Sequence, residues 1–323
     1  MDAHRTLFVT GASGFIGGGL LARLATRNDM RLMAAVREVG VALPKGVAPV
    51  LLPVVEPFAG KLPLDAVRVV VHCAARVHVM HDQAGDPLAA FRRVNVEGTL
   101  ALARQAAAAG VKRFVFISSI KVNGEASEPG RPFTPEDVPA PVDAYGQSKW
   151  EAEQGLLALA AQTGMEVVII RPVLVYGPGV KANFRSMMGW LNKGLPLPLG
   201  AIGNRRSLVA LDNLLDLIVT CIEHPAAINQ VLLVSDDEDL STTELLRRMG
   251  KALGKPARLV PVPAALLRIG AALLGRRAVA QRLCDSLQVD IRKTRALLQW
   301  TPPLGVEAAL GKTADSFLES LKP

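Results

Sequence analysis

Aromatic side chains are scarce in this 323-residue chain: two tyrosines, three tryptophans and nine phenylalanines amount to 4% of it. Without aromatics interleaved among basic residues, and without a recognised binding module, a nucleic-acid role would rest on net charge alone, so no nucleic-acid partner is expected. Cysteine is rarer still. Cys73, Cys221 and Cys284 are odd in number and widely spaced, which argues against a disulfide framework or a zinc site and fits a reducing, cytoplasmic compartment. His78, His81 and Asp82 stand close together, but no third close ligand of the right type accompanies them, and no metal is expected. Long apolar runs are missing too. The start, MDAHRTLFVTGASGFIG, has no apolar signal segment. VPVPAALLRIGAALLG is broken by Arg268 and by prolines and is too short to span a bilayer, so no integral membrane segment is expected. It fits a core or interface helix, with a position against a membrane surface as the alternative.

What is present is a half-hydrophobic composition with 20% charged residues, enough to bury a sizeable core. The net charge of +8 attracts anions in general, from nucleotides to acidic lipids. No like-charged block stands out as a basic tail, and a solvated basic surface accounts for the excess.

The elements alternate. TLFVT (6–10), RLMAAVR (31–37), VRVVVHCAA (67–75), KRFVFISS (112–119) and MEVVIIRP (165–172) read as buried strands. GGGLLARLATR, FRRVNVEGTLALARQAAAAG (91–110) and SKWEAEQGLLALAAQTG (148–164) read as helices, the last two closed by glycine. This rhythm predicts an α/β fold: a doubly wound parallel Rossmann sheet. After Pro172 the pattern loosens and VYGPGVKANF reads as loop. The expected division is a dinucleotide-binding domain over 1–175, completed by a segment returning near 208–240 that includes a strand over 231–240. Residues 176–323 form mostly a smaller, mixed α/β substrate lobe.

TGASGFIG (10–17) follows the first strand and opens a helix. Gly11 allows the tight turn, Gly14 lets a pyrophosphate approach the main chain, and Gly17 lets the helix pack on the strand. The N–H groups at the helix start, with Ser13, Phe15 and Ile16 around them, then face the anion. At the end of the second strand, Arg37 suits the 2′-phosphate of NADP(H), while Glu38 leaves NAD(H) possible.

The GxxGxxG spacing resembles that of the short-chain dehydrogenase/reductase superfamily, and GFIG resembles its extended, nucleotide-sugar-modifying branch. HCAA (72–75), NVEGT (95–99), SS before VNG (118–124), YGQSK (145–149), RPVLVYGPG (171–179), RRSLVALDNL (205–214) and LLQWTPP (297–303) carry the resemblance over most of the chain. It implies a Ser119–Tyr145–Lys149 site. It also implies cofactor contacts at Ala74, Ala75, Asn95, Tyr145, Lys149 and Pro172. On spacing alone Tyr145 and Lys149 read as an ordinary contact on one helix face. With the glycine turn and the serine loop in family order they read as an acid–base pair, in which the ammonium favours the phenolate.

By the same resemblance the substrate is a UDP-sugar. Ser119, Arg76 and His78 meet its sugar, and Asn183 and Arg206 meet its diphosphate, with Arg282 a further candidate. Two helices near 98–109 and 146–162 would pair two subunits into a four-helix bundle homodimer. Ile120 and Lys121, immediately after Ser119, cannot supply the acid–base pair that sugar dehydration needs. Two chemistries remain. NADPH-dependent reduction of the 4-keto group of a UDP-2-acetamido-2,6-dideoxy-hexulose, for surface polysaccharide synthesis, is the expectation, because Arg37 points to an exchangeable NADPH. NAD-dependent UDP-hexose or UDP-N-acetylhexosamine 4-epimerisation is the alternative. A non-catalytic dinucleotide-binding regulator is a third reading, which the intact Ser119, Tyr145 and Lys149 oppose. The region LLPVVEPF (51–58) lacks the Asp that relatives often place near adenine, and Asn123 stands where they usually carry Tyr.

Overall fold

The computed structural model describes residues 5–27, 29–52, 58, 60–77 and 86–322. Its strands are β1 (Arg5–Thr10), β2 (Met30–Val36), β3 (Val47–Leu51), β4 (Val67–His72), β5 (Arg113–Ile117), β6 (Glu166–Pro172), β7 (Leu174–Tyr176), β8 (Arg206–Ala210), β9 (Val231–Val234) and β10 (Asp239–Leu240). Seven form one parallel sheet in the order β3-β2-β1-β4-β5-β6-β9. The runs are apolar at nearly every position because both faces are covered, as parallel sheets require. Alternate residues part to opposite sides: Leu7, Val9, Val115 and Ile117 enter one core, Phe8, Val70, Phe114 and Phe116 the other.

The helices are α1 (Phe15–Leu24), α2 (Pro87–Arg92), α3 (Thr99–Ala108), α4 (Ala144–Thr163), α5 (Ala182–Asn192), α6 (Leu211–Glu223), α7 (Thr242–Ala252), α8 (Ala264–Leu273), α9 (Arg277–Cys284), α10 (Arg292–Leu298) and α11 (Val306–Glu319). Leu20, Leu21 and Leu24 of α1, with Leu214 and Ile218 of α6, cover the first face. Leu102 and Ala106 of α3, with Leu156 and Ala160 of α4, cover the second. A separate core joins α5, α7 and α11 to a small sheet, β10-β8-β7. Strand order reverses at β1, which pairs with β2 on one side and β4 on the other. The crevice beyond the carboxyl ends of these strands is where such sheets bind ligands.

Several elements differ from expectation. The segment 231–240 is two strands, not one: β9 completes the large sheet, whereas β10 turns away to pair with β8. The stretch 91–110 is interrupted by a π-helical turn, Arg93–Gly98. The supposed loop after Pro172 contains β7 and the start of α5. Nor is α8 a core helix, since none of its residues is buried. Among the described residues no helix is long and apolar enough to cross a membrane.

Candidate active site

The β1–α1 turn is shaped by close approach. Gly11 has φ +70°, and a Cβ there would lie 2.8 Å from the Ala74 nitrogen. A Cβ on Gly17 would meet the Gly11 carbonyl oxygen at 2.3 Å. Any larger residue would therefore push the helix off the turn. The Gly14 N–H donates to the Gly11 oxygen at 2.9 Å, and no side chain caps α1. An uncapped helix N-terminus against a glycine turn fits a dinucleotide's pyrophosphate. Arg37 and Glu38 are both exposed just past β2.

The opposite wall is the chain leaving β4. His72 is buried, hydrogen-bonded to the hydroxyls of Thr10 at 2.7 Å and Thr99 at 2.9 Å. Burial pushes its pKa down to about 3, so it is neutral. Asn95, buried in the π-helical turn, accepts from the Arg76 N–H at 2.8 Å and donates to the Arg76 carbonyl at 3.0 Å and to Ser148 at 2.9 Å. These bonds occupy its amide, so it clamps the wall to α4. The Arg76 guanidinium lies 5.6 Å from the Phe91 ring centre, and Phe91 meets Tyr145 edge-on at 6.1 Å. Phe91 thus contacts both Arg76 and Tyr145. His78, His81 and Asp82 lie outside the described residues, as do 53–57 of the segment expected near adenine.

Asp143 starts α4 by accepting the Gly146 N–H at 2.7 Å. Tyr145 follows in the first turn, with the Ser119 hydroxyl near enough to act on its phenol. Its neighbour Ser118 is spoken for, since its hydroxyl donates to Glu153. Burial pushes the Tyr145 phenol up to about 12, the Asp143 charge adds to the rise, and the Ser119 hydroxyl opposes it. Lys149 is buried; its ammonium donates to the Ile117 carbonyl at 2.8 Å and lies 4.3 Å from the Phe116 ring centre. Burial lowers it to about 8, against the pull of Cys73 and Glu153. It remains mostly charged at neutral pH, one helical turn from Tyr145.

The other tyrosine is structural. Tyr176 is buried and donates to Asp236 at 2.8 Å, and the same carboxylate accepts from Ala210 N–H and Asn213.

A strand-like segment joins the serine loop to the second lobe. Ser127 N–H donates to Ser286, and Phe133 N–H to Gln288, while Ser207 N–H donates to Leu287, at 2.9, 2.8 and 2.9 Å. It links β8 and Arg206 to the chain that follows the serine loop. Arg206 donates to the Asp285 carbonyl at 3.1 Å, and its pKa is lowered by burial and by the nearby Arg282. Two arginines held close in this way suit a doubly charged diphosphate. Asn183 is exposed in the first turn of α5. Pro172 ends β6 and is buried, while Ala74 borders the glycine turn and Ala75 follows it in the chain.

One pair of residues escaped the reading of the sequence. Glu153 and Arg171 form a buried ion pair at 2.6 Å, and Arg171 also donates to Asn123 at 2.9 Å. Asn123 in turn donates to the Thr134 carbonyl. Asn123 thus ties the serine loop to β6. Lys121 ion-pairs with Asp143 and, at 2.9 Å, with Glu125. One signal was available: Glu153 lies four residues after Lys149, a charge on the buried face of α4.

The model of the NAD dependent epimerase/dehydratase family matches residues 7–234, and the chain belongs to that family. The UDP-glucose 4-epimerase of Vibrio cholerae is 49% identical over 98% of this chain and 96% of its own. The GDP-6-deoxy-D-mannose reductase of Pseudomonas aeruginosa is 29% identical over 81% of this chain and 84% of its own. The crystal structure of UDP-glucuronic acid 4-epimerase from Bacillus cereus in complex with NAD superimposes with a TM-score of 0.78, covering 98% of this chain and all of that one, at 19% identity. These relations overturn the expected NADPH-dependent 4-keto reduction. The full-length likeness at 49% is to an epimerase, and the named reductase is far more distant. The expectation had leaned on Arg37, an exposed side chain with Glu38 beside it.

Proposed function

We propose that this protein is an NAD-dependent 4-epimerase acting on a UDP-hexose or UDP-N-acetylhexosamine. The observation that carries this reading is the 49% identity, over nearly the whole of both chains, to a UDP-glucose 4-epimerase. When bound, the nicotinamide supplies a site that takes hydride from C4 and returns it to the other face. The protein's part is protonic and positional. Tyr145 exchanges a proton with the C4 oxygen, Ser119 hydrogen-bonds that oxygen, and Lys149 lends positive charge from the same helix face. Arg206 and Arg282 hold the diphosphate, Asn183 stands at that end, and Arg76 borders the sugar. Gly11, Ser13, Gly14, Phe15, Ile16 and Gly17 form the cofactor's phosphate turn, with Ala74, Ala75 and Pro172 along the nicotinamide wall.

Residues 1–175 with β9 are assigned to the dinucleotide, and most of 176–323 to the sugar nucleotide. Two copies are proposed to pair through α3 and α4, in the cytoplasm. Purified enzyme given UDP-glucose or UDP-GlcNAc, with no reductant, should form the C4 epimer. Product formation that consumes reduced dinucleotide mole for mole would defeat the reading.

A further inference from the structure

Residues 245–284 hold nine of the chain's 37 basic residues and none of its 29 acidic ones. The remaining 28 basic and 29 acidic residues nearly cancel, so the net charge of +8 resides in this stretch. Its second half folds into α8 and α9, two helices packed on each other across the short link 274–276. The root of this hairpin is fastened to the second lobe. Cys284 and Ala280 are buried, Leu267 and Leu283 pack on the third core, and Arg268 ion-pairs with Asp285 at 2.7 Å.

The outer face is open. Leu266 and Ile269 are each 58% exposed, Leu273 83%, Leu274 77% and Val279 49%. Positions 266, 269 and 273 fall on one side of a helix, and Leu274 and Val279 extend the apolar patch across the link. Arg276 and Arg277, also exposed, flank it, and neither has an ion-pair partner among the described residues.

From this juxtaposition we propose that the α8–α9 hairpin docks on an anionic lipid surface, its leucines entering the headgroup boundary and its arginines meeting acidic headgroups. An apolar face framed by arginine without acidic residues is the pattern of helices that lie in a membrane interface. A second copy is the poorer occupant. Symmetric pairing would bring Arg276 and Arg277 against their own copies, with no carboxylate on the hairpin to offset them. The hairpin's root shares Asp285 with Arg206, whose guanidinium bonds the Asp285 carbonyl at 3.1 Å. Docking would therefore hold the diphosphate end of the site beside the bilayer. The proposal does not depend on which reaction the site performs.

Cosedimentation of the full chain with phosphatidylcholine vesicles, with and without phosphatidylglycerol, tests it. Binding is expected to the anionic vesicles and to fall with salt. The double variants Leu273→Glu/Leu274→Glu and Arg276→Gln/Arg277→Gln should each weaken it by roughly tenfold or more, while turnover on soluble substrate stays unchanged. Equal binding to neutral vesicles, no binding at low salt, or binding untouched by both variants would overturn the proposal. So would a loss of self-association in the leucine variant without any vesicle binding, which would assign the face to a second copy.

Discussion

The chain's two tyrosines show how burial divides one side-chain type into two roles. Tyr176 is fully buried and locked to Asp236, whereas Tyr145 is only half-buried, with Ser119 near its phenol. Tyr145→Phe should lower kcat by roughly 10²- to 10⁴-fold with folding intact, as loss of a general acid–base does. Tyr176→Phe should keep turnover and lose about 1–3 kcal/mol of stability in denaturant unfolding, because a buried carboxylate oxygen loses its donor. If the two effects were reversed, the assignment would fail. The spacing of YGQSK could not distinguish an acid–base pair from a surface contact; the fold excludes the surface contact by burying Lys149.

Asp143 and Lys121 extend the argument at the same scale. The Asp143 charge raises the Tyr145 phenol, and the Lys121 ammonium bound to that carboxylate offsets it. A raised pKa means that the phenol keeps its proton to higher pH. Asp143→Asn retains an oxygen for the Gly146 cap but removes the charge, so the limb of kcat/KM governed by phenol ionisation should move to lower pH. Lys121→Met, leaving Asp143 uncompensated, should move it to higher pH. Parallel shifts in both variants would show that the pair acts on folding alone.

Among elements, α4 bears the greatest constraint, since Tyr145, Lys149 and Glu153 lie on its inward side. The Glu153–Arg171 pair is buried on both partners, and removing one leaves the other charge without compensation. Glu153→Ala or Arg171→Met should each cost about 3–5 kcal/mol, whereas the double variant should cost less than the sum. Chemical denaturation of the three proteins measures this, and strict additivity would deny the coupling. The strands of the large sheet were legible because continuous apolar runs admit few other readings in an alternating α/β chain. The π-helical turn was not, because Asn95 bonds the Arg76 backbone, a contact 19 residues away in sequence. The ion pair was hidden likewise, its members on α4 and β6. For α8 the apolar composition left core, interface and surface positions open, because a helix rich in Ala and Leu reads the same whether its outer face is covered or open.

For the molecule as a whole, the class was legible and the reaction was not. Glycine turn, serine loop and Tyr–Lys helix arrive in family order, but the same three side chains serve reduction and epimerisation, since both exchange a proton with a C4 oxygen. What separates the two chemistries is whether the dinucleotide is kept or exchanged, and that is a property of affinity. A cofactor retained through the cycle should bind the folded chain strongly and stabilise it, by about 2.7 kcal/mol at a hundredfold excess over Kd. Thermal unfolding at matched concentrations should therefore show a larger rise in Tm with NAD than with NADP. Arg37 is exposed beyond β2 with Glu38 next to it, so Arg37→Ala should leave the NAD shift nearly intact and shrink any shift with NADP. A larger stabilisation by NADP, abolished in Arg37→Ala, would instead show that the arginine reads a 2′-phosphate and would count against a retained NAD.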